Sequence, residues 1–278
     1  MPQVDLVTLA EAGALVSREH QAHLEDAVGI ADWRVDASTA TFAFRDATGA
    51  ERRVRTHLIG TASPGDGVWS WGWSQADRFP AALVRRSERV RALGERYGIP
   101  ELTSGSLPLD QVEPQALVDA VKAVTGTTAH HVAGVGPGET LAWLLLDDPS
   151  LALPAPTVAR AVGVVTNALA AGGTTDDRRA LTAWAEQRHA ILTRVEDDVD
   201  ELTLSDGSLQ VRFDGGGRIS GLGRRLRSAP KPAAVEQEQA LPEAPEVPHA
   251  ALEEVEVASA APEPVPARRG LLQRLLGR

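Results

Sequence analysis

The residues best suited to chemistry lie in Val68-Trp69-Ser70-Trp71-Gly72-Trp73-Ser74, where three of the chain's six tryptophans alternate with small residues. On an extended strand this spacing puts Trp69, Trp71 and Trp73 on one face and leaves Ser70, Gly72 and Ser74 on a nearly bare one. Indole rings stack on aromatic rings, sugars and peptides, so Trp33, Trp69, Trp71 and Trp73 form the candidate ligand-binding set. The competing reading is a core strand under helices, since each buried aromatic removes on the order of 150–250 Å² from water. The core reading carries more weight, because a large apolar payload alone accounts for the spacing.

Other reactive residues are sparse. His20 and His23, with Glu19, share a helical face but have no third ligand, and His130 and His131 point to opposite sides of a strand. Glu196-Asp197-Asp198-Val199-Asp200-Glu201 lacks the spacing and glycine of a calcium loop and reads as a solvated loop between strands. Gly134-x-Gly136-x-Gly138 lacks the Lys-Ser/Thr of a phosphate loop, and no helix follows Gly215-x-Gly217-x-x-x-Gly221, so both read as turns. There is no Gly-x-Ser-x-Gly elbow and no cysteine, and Asp147-Asp148 are adjacent as in surface loops. No catalytic residue, metal or cofactor is expected. An enzyme ranks third among the readings, to be revived by a pocket holding a strongly shifted carboxylate or His57. Whether Arg52, Arg53, Arg55 and the arginines between Phe79 and Tyr97 converge on an anion site depends on the fold.

These residues need elements to position them. The chain has 278 residues, 43% of them hydrophobic, enough for a sizeable core in one or two domains. Residues 4 to 28 read as a helix on the spacing of Leu6, Leu9, Gly13, Val16, His20 and Leu24, stopped at Gly29. Extended segments follow at Trp33–Val35, Thr39–Arg45 and Glu51–Thr61, then the tryptophan strand, separated by turn signals at residues 46–49 and 63–67. Such short connections imply antiparallel neighbours. Phe79–Tyr97 reads as a helix with Leu83, Val90, Leu93 and Tyr97 inward, ended by Gly98 and Pro100. Further on, helices are expected at Gln115–Val124 and Thr157–Ala171, and a third is expected to be capped by Thr174 or Thr175. Strands are expected at His130–Val135, Thr140–Leu146, Ile191–Val195, Leu202–Leu204 and Leu209–Phe213. The fold class is α+β: antiparallel β-meanders packed with helices, then a disordered C-terminal tail. Residues 1–100 form a helix plus meander, and 101–227 a second α+β unit or a continuation of the first.

Composition narrows the partners. The net charge of −10 argues against nucleic acid, which is held through Lys/Arg contacts to phosphate. Lysine occurs only at Lys122 and Lys231. No secretory signal is evident at the start, no stretch approaches the ~20 apolar residues of a membrane span, and the lack of cysteine suits a cytoplasmic protein. Residues 228–266 carry eight glutamates against one lysine and few large apolar groups, which describes a disordered linker. Residues 267–278 then invert the charge. Leu271, Leu272, Leu275 and Leu276 share a helical face, with Arg268, Arg269, Arg274 and Arg278 beside it. This peptide is expected to recruit a partner protein by helix-in-groove docking, or an anionic membrane surface at ~1 kcal/mol per arginine.

Gly60-Thr61-x-Ser63 followed by Gly67-x-Trp69-x-Trp71-x-Trp73, with Trp33 and a helix upstream, resembles a bacterial family of unknown function common in actinobacterial genomes. The likeness covers about Gln21 to Gly98. An asparagine that commonly follows the last tryptophan in that family is replaced here by Ser74-Gln75. The resemblance implies no activity. The first functional reading is therefore a non-enzymatic cytoplasmic binding or adaptor protein acting through its basic tail. The alternative is a small-ligand domain using the tryptophan strand.

Overall fold

The structure is a computed structural model that describes residues 4–126, 129–135, 139–172 and 174–227. The described residues belong to one compact unit. The acidic linker and the basic peptide expected beyond residue 227 lie outside the described residues.

Helix α1 (Leu6–His23) starts where the Asp5 carboxylate accepts the Thr8 N–H at 2.8 Å. A wider turn, Leu24–Val28, closes it at Gly29, whose φ of 63° needs a residue without Cβ. Strands β1 (Ala31–Asp36), β2 (Thr41–Arg45), β3 (Glu51–Ser63) and β4 (Val68–Trp71) follow. Next come α2 (Ala81–Tyr97), α3 (Pro100–Thr103), β5 (Ser106–Pro108) and α4 (Pro114–Thr125), then β6 (His130–Gly134) and β7 (Leu141–Asp147). The described chain ends with α5 (Val158–Ala171), α6 (Asp177–Gln187) and four strands: β8 (Ile191–Glu196), β9 (Val199–Leu204), β10 (Gly207–Phe213) and β11 (Ile219–Leu226).

Every strand pairing is antiparallel. The first sheet is built around β3. One of its edges pairs with β2 along its first half and β4 along its second, while the other edge takes β7, which in turn pairs with β6. Residues from both sides of position 100 therefore share one sheet. The second sheet runs β11-β10-β9-β8. Its inner face, with Leu202, Leu204, Leu209, Val211 and Phe213, packs under Val158, Val165, Leu181 and Trp184 of α5 and α6. Helix α1 joins these cores: Leu15 and Val16 pack with the second sheet, and Leu6 and Leu9 with the tryptophan cluster. The result is the expected α+β fold.

Several local expectations are corrected. The tryptophan strand stops at Trp71, and Gly72–Gln75 is a 3₁₀ turn closed by the Ser74 hydroxyl donating to the Trp71 carbonyl at 2.7 Å. Tyr97 is 47% exposed, at the end of α2 and beside Arg96, rather than inward. The cap of α6 is Asp176, because Thr174 is drawn to Asp177 and Thr175 to Glu11. The acidic run 196–201 is a solvated turn only at Asp197–Asp198, between the end of β8 and the start of β9. Asp200 is buried in β9 and paired with Arg178 at 3.0 Å. Strand β11 had no counterpart in the sequence reading, since its Gly-Leu-Gly-Arg-Arg run has neither clean alternation nor β-branched residues.

Candidate functional site

The four tryptophans do not converge on one ligand face. Trp69 and Trp71 have no accessible surface, pack edge to face at 5.5 Å and sit under α3 and α4 with Leu102, Leu117 and Val121. The Trp71 indole N–H donates to the Glu101 carbonyl at 2.9 Å. Trp73 lies on the 3₁₀ turn with the Arg91 guanidinium 4.7 Å above its ring. Trp33 belongs to a different cluster, stacked on Phe42 with His131 at its edge. The bare side of the stretch is used for close packing: a Cβ on Gly72 would come 2.4 Å from the Leu58 carbonyl oxygen.

The polar chemistry gathers instead along α1. An ordinary amphipathic helix keeps such groups outward, yet Glu11, Ser17, Glu19 and His20 are all buried. Glu11 accepts the N–H groups of Thr175 and Asp176 and pairs with Arg179, tying the loop before α6 to α1. Ser17 sits where α1 crosses α4. Lys122, fully buried, donates to the Ser17 hydroxyl at 2.6 Å and to His130 Nδ1 at 2.7 Å. The Ser17 hydroxyl in turn serves the Asp119 carboxylate, which also accepts from Gln115 at 2.7 Å. Burial drives the Lys122 pKa down to about 7, against the pull of Asp119, and pushes the Asp119 carboxyl up. His130 is held well below its ordinary value by burial and by Lys122.

Ser17, Lys122 and His130 follow the order nucleophile, base, orienting group that activates a serine. The Ser17 side chain has no exposure, however, and its hydroxyl is already committed on both sides. The network is a polar lock between α1, α4 and β6. One signal in the sequence pointed to it. Lys122 is the only lysine in residues 1–227 of a chain that otherwise uses arginine, and it stands in the apolar run Ala120-Val121-Lys122-Ala123-Val124. An ammonium can shed its proton on burial, whereas a guanidinium cannot.

One turn further on, α1 meets a cleft of about 420 Å³. Its walls are Val16 and His20 of α1, Leu146 and Asp147 at the end of β7, Asp148 and Leu151 in the following loop, and Gln187 and Arg188 at the end of α6. His20 is only 8% exposed, and its Nδ1 has no hydrogen-bond partner among the described residues. Burial, then Lys122 and Arg188, hold its pKa down to about 3, so the ring is neutral in a locally positive field. Arg188 lies 3.0 Å from Glu19, which also accepts the Trp184 indole N–H at 2.9 Å and whose pKa burial raises. Asp147 is paired with Arg86 at 2.6 Å and lies 3.4 Å from the buried His57. The lining thus holds two kinds of group, His20 with Arg188 and the carboxylates Asp147 and Asp148.

Among the described residues, no group of three or more His, Asp or Glu side chains could hold a metal ion, and no helix is long and apolar enough to cross a membrane. His20 and His23 stay on one helix without a third ligand, and His130 and His131 face opposite ways, with His130 on Lys122 and His131 on Trp33. The phosphate-loop look-alike at Gly134-x-Gly136-x-Gly138 lies partly outside the described residues, as do all the partner-binding candidates from Arg268 to Arg278.

No curated protein and no solved structure matches the chain. The model of a family of unknown function, DUF6882, matches residues 7–149, just over half of the chain, from the start of α1 to the end of β7. That span is wider than the resemblance carried by the tryptophans and takes in Ser17, His20, Lys122 and His130. The chain therefore belongs to DUF6882, a family of unknown function.

Proposed function

We propose that the chain is a binding protein whose ligand is a small dipolar molecule held in the cleft between α1, the end of β7 and α6. The observation that supports this is His20. A buried imidazole nitrogen without a partner costs on the order of 1–3 kcal/mol, and here it stands at the wall of a cleft of ligand size. A carboxylate or similar acceptor fits His20 and Arg188, and an amine or hydroxyl donor fits Asp147 and Asp148. The test is a two-dimensional NMR titration of the full chain with amino acids and small hydroxy acids, following the His20 ring. A ligand should move the His20 resonances and raise the Tm, and His20→Ala should abolish the rise in Tm. If no such compound moves the His20 resonances, the reading fails. Native mass spectrometry of the gently purified chain would reveal a co-purifying ligand.

A second proposal rests on composition alone: the basic leucine-rich peptide 267–278 recruits a protein or an anionic membrane, in a bacterial cytoplasmic setting. A comparative pull-down with the full chain and a 1–266 truncation decides it, since identical captures would remove the role. Cleft binding should survive the truncation.

A further inference from the structure

The register of β1, β2 and β3 answers the question about the arginines in a way their sequence order does not. Arg34 pairs across to Ala43, and Ala43 to Arg53; in the next row Asp36 pairs to Thr41, and Thr41 to Arg55. Residues directly opposite one another share a face, so Arg34, Arg53 and Arg55 rise from the same side of three strands. Ala43 and Thr41 lie low between them. The groove they form, of about 800 Å³, is also lined by Ala37, Thr39 and Ala40. Arg52 faces the other way and is committed to Asp46 at 2.6 Å. The α2 arginines are elsewhere, Arg86 on Asp147 and Arg91 on Glu95.

Charge in this groove is not balanced. Arg34 Nη2 and Arg53 Nε converge on one oxygen of Glu51, at 2.8 and 2.9 Å. A single carboxylate oxygen thus serves two guanidinium groups. Arg55 has no partner among the described residues. Asp36, the acid in the groove's lining, is turned to its own loop, accepting from the Ser38 N–H at 3.0 Å and the Ser38 hydroxyl at 2.6 Å. A cationic groove on a chain of net charge −10 runs against the overall field. That overall field disfavours a long polyanion and leaves a compact one as the matching ligand.

We propose that this groove binds a phosphate or pyrophosphate group, free or carried on a small molecule, and that Glu51 occupies the oxyanion's place until it arrives. The carboxylate already held by Arg34 and Arg53 demonstrates oxyanion geometry. A phosphate offers additional oxygens and charge and can engage Arg55 as well, which Glu51 does not. This site is separate from the cleft beside His20, and neither reading depends on the other.

The test is isothermal titration of the full chain with inorganic phosphate, pyrophosphate and glycerol phosphate at low ionic strength. Glu51→Gln removes the internal competitor and should tighten binding about tenfold, the equivalent of one charge-assisted hydrogen bond. Arg55→Ala should weaken it by a similar factor, while Arg91→Ala leaves it unchanged. Preference for glycerol phosphate over the inorganic ions would mark a carried phosphate, and the reverse a free anion. The proposal is overturned if none of the three binds, or if Glu51→Gln, with an unaltered Tm, fails to tighten binding. A solvated arginine face would give the latter result.

Discussion

Lys122 Nζ lies 2.7 Å from His130 Nδ1, and both groups are sealed from solvent. An ammonium that donates to an imidazole requires that ring to stay neutral, so the two cannot both be charged without loss. Unfolded, they titrate near 10.5 and 6.5; folded, Lys122 falls to about 7 and His130 well below its ordinary value. In both windows the unfolded chain binds more protons, so stability increases with pH there. It should rise between about pH 7 and 10.5 on account of Lys122, and fall below about pH 6.5 on account of His130, with His20 and His131 acting in the same direction. Asp119, whose pKa is raised, opposes the acid loss over the carboxylate range. The Tm should be higher at pH 9 than at pH 7 and lower at pH 5.5, and Lys122→Met should flatten the alkaline rise. A wild-type Tm independent of pH between 5.5 and 9 would refute the assignment.

The tryptophans should separate by burial. Trp71→Ala opens a cavity in a fully packed cluster and strands the Glu101 carbonyl, at a cost of about 3–5 kcal/mol. Trp73→Ala removes a half-buried ring and its contact with Arg91, at about 1–2 kcal/mol. Chemical denaturation measures both, and equal losses would contradict the burial difference.

Gly13 marks the closest approach of α1 to α4. A Cβ there would stand 1.9 Å from the Asp119 carbonyl oxygen, which is backbone and cannot swing aside. Gly13→Ala should cost about 3 kcal/mol despite its better helix propensity, and should loosen the Lys122–Ser17 hydrogen bond. An alanine variant as stable as the wild type would show that the helices have room to separate.

Glu11 holds the loop before α6 by accepting two backbone N–H groups and the Thr175 hydroxyl, with Arg179 beside it. Glu11→Ala should cost about 2–3 kcal/mol and leave those donors unsatisfied. Hydrogen exchange at the Thr175 and Asp176 amides should accelerate, while amides in β9 and β10 keep their protection. Unchanged exchange at Thr175 would remove the anchoring role.

Much of this molecule is legible from one-dimensional pattern. The first helix, the meander of Thr39–Arg45 and Glu51–Thr61, Pro114 as a first helical residue and the helix ending at Ala171 all follow from local rules of period and turn. The failures are local patterns overruled by a neighbour. Trp73 leaves the strand because Ser74 closes a turn on Trp71, and Asp176 takes the cap because Glu11, far away in sequence, claims Thr175. The cleft is not legible in the sequence, since His20 reads as one more position on an apolar stripe and no local pattern marks Arg188.

By itself the sequence determined most of the elements, their order and the antiparallel class of their connections, because those depend on periodicity and loop length within a few residues of one another; α3, β5 and β11 escaped it. It favoured burial of the aromatic payload over a ligand face, and the structure buries it at Trp69 and Trp71. Only the tertiary structure decided which polar groups would meet. Ser17 and Lys122, Glu11 and Thr175, and Arg34 and Arg53 are brought together by helix crossing and strand register. Hydrogen bonds and desolvation act over a few ångströms in space and are indifferent to distance along the chain. The candidate sites of this protein therefore belong to its packing rather than to any motif.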